Sequence, residues 1–192
     1  MRILLARHGE TDWNARGKVQ GQSDIPLNGK GLEQARDLAE RLLARGERVE
    51  RLWCSPQRRA AETAAVVGAR LGLEPETAPG LQEISFGIWE GYSWPEVAEK
   101  WPEEYSRYRL DRLNTAPEGG ECYRQMLERV LPVLKTIAAG PEDTVLIVTH
   151  SGLIKGLMCW LDRGDFSTIH QVYLLANAEW VTLDSARLFQ KR

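Results

Sequence analysis

The sequence predicts an α/β fold with a largely parallel sheet, and three observations predict it. Short apolar runs bounded by turn residues, "RILLA" at 2–6, "VERLWCS" at 49–55 and "DTVLIVTH" at 143–150, read as buried strands. Between them lie segments whose apolar residues recur at helical spacing. Two of the three histidines, His8 and His150, come directly after such runs, where open α/β sheets gather ligands.

The elements follow in order. After the first strand and a polar loop, Leu32, Ala35, Leu38, Ala39, Leu42 and Leu43 trace one helical face, with Gly46 as the terminating glycine. The second strand leads to Ser55 and Pro56, an expected N-cap and first-turn pair for a helix reaching Leu71. Residues 80–120 are irregular, rich in Trp, Tyr, Glu and Pro, with Ser93 expected to cap a short helix ending near Trp101. "GGECYRQMLERVLPVLKTIAAG" predicts a longer helix, kinked or restarted at Pro132. "SGLIKGLMCWL" predicts the helix after the clearest strand, and "QVYLLANAEWVTLDS" two closing strands with a turn near Asn177. A single domain is expected over 1–192, with residues 85–120 as a cap insertion.

The 192 residues are 43% hydrophobic and 27% charged, with a formal net charge of −2. That balance gives no global basic field to draw in nucleic acid or an anionic membrane. Cys54, Cys122 and Cys159 form no CxxC pair, which argues against a disulfide framework or zinc knuckle. No run approaches the ~20 apolar residues of a membrane span, and Arg7 and His8 interrupt any signal-like start. A cytoplasmic protein with reduced thiols is expected.

Arg7 and His8 end the first strand, His150 ends the clearest one, Arg59 lies in the first turns of a helix, and Glu83 sits in "LQEISFG". Each alone is ordinary, but two arginines and two histidines at loops facing one way serve no hydrophobic core. Arginine matches phosphate oxygens. A histidine among arginines is pushed toward its neutral form and can attack phosphorus, with Glu83 able to protonate the leaving alkoxide. GxxxxGK[ST], GxGxxG after the first strand, HExxH and GxSxG are all absent.

"LLARHGETDWN" resembles the RHG signature of the histidine phosphatase superfamily, the phosphoglycerate-mutase-like proteins. "VQGQSDIPLNGKGLEQA", "CSPQRRAAETA", "LQEISFGIWEG", "PEGGE" and "VTHSGLIKGL" resemble that family's later blocks, in family order. The branch resembled is that of α-ribazole and broad-specificity phosphatases. The resemblance implies a three-layer α/β/α fold, its mostly parallel sheet lying between helices and carrying a variable cap. It implies no metal or organic cofactor. It makes His8 the phosphorylated nucleophile, Glu83 the proton donor, and Arg7, Arg59 and His150 the rest of the phosphate pocket. Arg58 is expected to be solvated. Asn14 is expected to contact phosphate, with Gln20 and Gly21 lining the pocket and Gly9 allowing close approach to the ligand.

Ser151 stands where many relatives have glycine, and is expected to cap the next helix in preference to donating to substrate. His170 matches no block and is expected to be structural or exposed. Trp89, Trp94 and Trp101 lie in the expected cap and are candidates to shape the pocket. The expected partner is a small phosphorylated metabolite, with no nucleic acid or membrane and with a homodimer left open. Only 66 residues, positions 84 to 149, separate Glu83 from His150. That leaves little for a closing lid and favours hydrolase over mutase; a catalytically silent phosphate-binding module is the third reading.

Overall fold

A computed structural model describes residues 1–190. Its strands are β1 (Arg2–Arg7), β2 (Arg51–Cys54), β3 (Pro75–Thr77), β4 (Thr144–Thr149) and β5 (Trp180–Asp184). They lie in the order β3-β2-β4-β1-β5, parallel except for β5, which runs antiparallel at the edge. The helices are α1 (Asp12–Ala15), α2 (Gly29–Ala44), α3 (Arg58–Leu71), α4 (Trp94–Lys100), α5 (Pro102–Leu110), α6 (Tyr123–Ala138), α7 (Ser151–Leu161) and α8 (Ile169–Val172).

The central strands are continuous apolar runs because both faces are buried. Ile3, Leu5, Val145 and Ile147 point into a core shared with Met126, Val130 and Leu134 of α6 and Leu153 and Leu157 of α7. Their neighbours Leu4, Ala6, Leu146 and Val148 point the other way, onto Leu38 and Leu42 of α2 and Ala60, Ala64 and Val67 of α3. The α/β class and the largely parallel sheet are as expected.

Three local expectations change. The N-cap of α3 is Gln57, not Ser55, although the Ser55 hydroxyl accepts from Gln57 N at 3.3 Å while it also bonds His150 Nε2. α6 runs unbroken through Pro132. Pro132 is exposed, and buried residues before and after it hold the helix against the core. Only one closing strand forms. Gln171 and Val172 end α8, and the following segment is drawn onto the end of β1, where the Ala178 N–H donates to Arg7 O and His8 O at 3.1 and 3.2 Å. β3 and α5 carry no expectation from the sequence; in α5 only Tyr108 is buried, so no apolar stripe announces it. Ser93 caps α4 as expected, in a reciprocal box with Glu96, and Gly46 ends α2 at φ 69°.

Candidate active site

The parallel register pairs Arg7 with Thr149, the last residues of β1 and β4. His8 and His150 therefore emerge side by side, with ring centroids 5.3 Å apart. Both are buried. His8 Nδ1 lies 2.6 Å from the Gly9 carbonyl. A carbonyl only accepts, so Nδ1 carries the proton and Nε2 keeps a lone pair. Burial first, then the charges of Arg59 and Arg7, hold the His8 pKa well below its ordinary value, so the ring is neutral at pH 7. His150 is held low in the same way, by burial and then Arg59. Its Nε2 lies 2.8 Å from Ser55 Oγ, while its buried Nδ1 has no partner among the described residues.

The arginines are tethered to main chain. Arg7 donates from Nη1 to Leu175 O at 2.8 Å. Arg59 donates to Ser23 O and Gly21 O, each at 2.7 Å. Their buried Nε atoms lack partners among the described residues. Burial lowers both pKa values, that of Arg59 to about 10, so both remain charged at neutral pH. Arg58 is exposed and pairs with Glu62, as expected.

Glu83 sits at the start of α7. Its Oε1 accepts from Ile84 N and Leu153 N and its Oε2 from Gly152 N, all at 2.9 Å. A carboxylate has about four acceptor sites, so one, on Oε2, is open. Glu83 is itself held by Gln57, whose Oε1 accepts from Glu83 N at 2.8 Å, and by Arg129, whose Nη2 donates to Glu83 O at 2.8 Å.

These groups meet at a cavity of about 220 Å³, lined by eight of the nine expected site residues. The ninth, His150, stands behind His8. Asn14 Oδ1 accepts from Thr11 N and Asn177 Nδ2, each at 3.2 Å, leaving its amide N–H groups as donors. Gln20 Oε1 accepts the Thr11 hydroxyl at 2.9 Å, with the same result. Gly21 has φ 50°, and a Cβ there would lie 2.0 Å from Glu90 Oε1. Glu90 fixes this loop by accepting from Gln22 N and Ser23 N at 2.9 and 2.8 Å.

Three expectations need correction. Ser151 does not cap α7: the N-cap is His150, and the Glu83 carboxylate satisfies the first amides instead. The Ser151 hydroxyl is left at the cavity wall. Gly9 is required by the fold, since a Cβ there would lie 2.4 Å from the Gly31 carbonyl of α2. His170 is neither remote nor merely structural; half-buried beside Trp94, it lines the cavity. Of the candidate tryptophans only Trp94 reaches it, while Trp89 is fully buried and Trp101 packs on Tyr92.

Lys18 and Lys155 also line the cavity, and neither is among the residues expected there. For Lys155 a signal exists, because it follows Ser151 by four residues and so shares its helical face. Asn177, which donates to His8 O at 3.0 Å, has none. Among the described residues no group of three or more His, Cys, Asp or Glu could hold a metal ion, and no helix is long and apolar enough to cross a membrane.

The histidine phosphatase superfamily (branch 1) family model matches residues 3–187. A metal-independent phosphoserine phosphatase of Arabidopsis thaliana is 39% identical over 159 residues, 81% of this chain and 66% of its own length. A glucosyl-3-phosphoglycerate phosphatase of Mycolicibacterium vanbaalenii is 33% identical, with 95% of this chain and 83% of the relative covered. The α-ribazole phosphatase structure from Shigella flexneri superposes with a TM-score of 0.82 at 28% identity, covering 96% of this chain and 90% of that one. The chain belongs to the histidine phosphatase superfamily, branch 1, as a phosphatase.

Proposed function

We propose that the protein hydrolyses small phosphomonoesters through a phosphohistidine on His8, without a metal ion. The observation that carries this reading is the fixed tautomer of a neutral His8, whose Nε2 lone pair is free beside the buried Arg59 and the half-buried Arg7. Nε2 attacks phosphorus and the P–O ester bond breaks. The departing alkoxide takes a proton from the open site on Glu83 Oε2. Water then attacks phosphorus, Glu83 accepts its proton, the P–N bond breaks and phosphate leaves.

Arg7 and Arg59 supply the charge that stabilises the transferring group, a task a metal would otherwise serve. A neutral His150 that accepts the Ser55 hydroxyl at Nε2 carries its proton on Nδ1, as a further donor. Asn14, Gln20 and the Ser151 hydroxyl complete the set around the phosphoryl oxygens. Residues 85–120 form the cap of a single cytoplasmic domain. The short span between Glu83 and His150 favours net phosphate release over mutase transfer.

Rapid acid-free quenching of turnover should trap a base-stable, acid-labile phosphoenzyme that is absent from His8→Ala. Activity should persist in excess chelator. Loss of activity on chelation, restored by one divalent ion, would refute the metal-free reading, and mutase turnover exceeding phosphate release would refute the hydrolase.

A further inference from the structure

The phosphoryl chemistry leaves Lys155 without a task. Its side chain is half-buried in the cavity wall, and no hydrogen bond or ion pair joins its ammonium to another described residue. Burial and then the nearby Arg7 lower its pKa, opposed by Glu83. A partly buried cation next to another cation costs stability unless an anion arrives.

The charge count points the same way. Arg7, Lys18, Arg59 and Lys155 line the cavity against the single carboxylate of Glu83, a formal surplus of three. A phosphomonoester cancels at most two, so a positive remainder is left. Lys18 has other company, with its ammonium 5.8 Å from the Trp13 ring centroid and its charge felt by Glu96. Lys155 has none. Space for a sizeable alcohol is at hand: Trp94 and His170 are shared with an adjoining cavity of about 460 Å³. His170, its pKa pushed down to about 4 by burial and then by Lys155, is neutral at pH 7 and does not add to the surplus.

We infer that Lys155 is a specificity-determining residue that binds a second anionic group on the alcohol part of the substrate, so that favoured esters carry a carboxylate or a further phosphate. The inference rests on the phosphatase reading and names a substrate class within it. If Lys155 merely raised the general positive potential on the phosphoryl group, its loss would slow all esters alike.

The test compares kcat/KM within matched pairs: 3-phosphoglycerate against glycerol 3-phosphate, and fructose 1,6-bisphosphate against fructose 6-phosphate. In Lys155→Met the ratio within at least one pair should fall tenfold or more, chiefly through KM, and Lys155→Arg should restore most of it. A fall confined to the first pair identifies a carboxylate, and one confined to the second a phosphate. Lys155→Gln replaces the Met variant if circular dichroism shows that variant unfolded. Unchanged ratios in a folded, active variant overturn the inference, whatever happens to the absolute rates. A wild-type protein that releases phosphate from none of these esters, nor from p-nitrophenyl phosphate, overturns the phosphatase reading itself.

Discussion

At the inner end of the cavity the charged groups are tied to main chain: Arg7 and Arg59 to carbonyls, His8 to the Gly9 carbonyl and Glu83 to three amides. At the outer end, Lys18, Lys155 and His170 have no side-chain hydrogen bond among the described residues, and aromatic faces are the main company of two of them. The inner groups are held at fixed positions, as preorganised stabilisation of a phosphoryl group requires. The outer groups keep rotamer freedom and unpaired capacity, which suits a varied leaving group. One end sets the reaction and the other selects what is reacted.

The largest expected effect breaks the inner end. His8→Ala should lose on the order of 10⁴-fold or more in kcat on every ester while the fold persists. Substantial turnover by the folded variant would remove His8 as nucleophile. Glu83→Gln should cost about 10² to 10⁴ on esters with poor leaving groups and far less on p-nitrophenyl phosphate, which needs little protonation. Equal losses on both would take Glu83 out of the acid role. Because Glu83 also satisfies the first amides of α7, this variant should show a lowered melting temperature as well.

Gly9→Ala tests the inner scaffold without touching a reacting group. Its new Cβ would lie 2.4 Å from the Gly31 carbonyl, so a loss of about 1–3 kcal/mol is expected in denaturant unfolding. Wild-type stability there would show that β1 and α2 can part freely.

The histidines add a pH signature. All three have folded-state pKa values below the ordinary 6.5, that of His170 at about 4. Below pH 6.5 the unfolded chain binds protons that the folded chain refuses. Stability should therefore fall as pH drops, by about 1.4 kcal/mol per unit for each histidine until its folded value is reached. Urea midpoints at pH 7 and pH 5 measure this, and a midpoint that held or rose at pH 5 would contradict it.

The smallest effect belongs to the outer wall. Trp94→Ala should change KM by roughly tenfold or less between esters, with kcat on p-nitrophenyl phosphate moving little. A large loss of kcat would mean that the two ends are not separable.

The same division decides what the sequence reveals. Inner residues stand directly beyond strands whose apolar runs are unmistakable, so the chain pattern alone places Arg7, His8 and His150 at the mouth of the sheet. Among the outer residues, Lys155 lies on the expected α7 and shares the face of Ser151, whereas Lys18 lies in the loop after α1 and His170 in the short α8, neither of which carries an apolar stripe. His170 is invisible there because its role depends on how α8 packs near Trp94, not on its neighbours in the chain. The tethering of Ser55 and Asn177 is hidden for the same reason, since each acts on a histidine far away in sequence.

The three amides on Glu83 have a consequence for proton supply. His8 is neutral and holds its one ring N–H on the Gly9 carbonyl, so it brings no proton for the leaving alcohol. With three acceptor sites of Glu83 taken by Ile84, Gly152 and Leu153, proton traffic with the ester is confined to one face of Oε2, and that face is set by the first turn of α7. A change that shifts α7 should therefore slow esters with poor leaving groups before it affects p-nitrophenyl phosphate, with Glu83 itself unaltered.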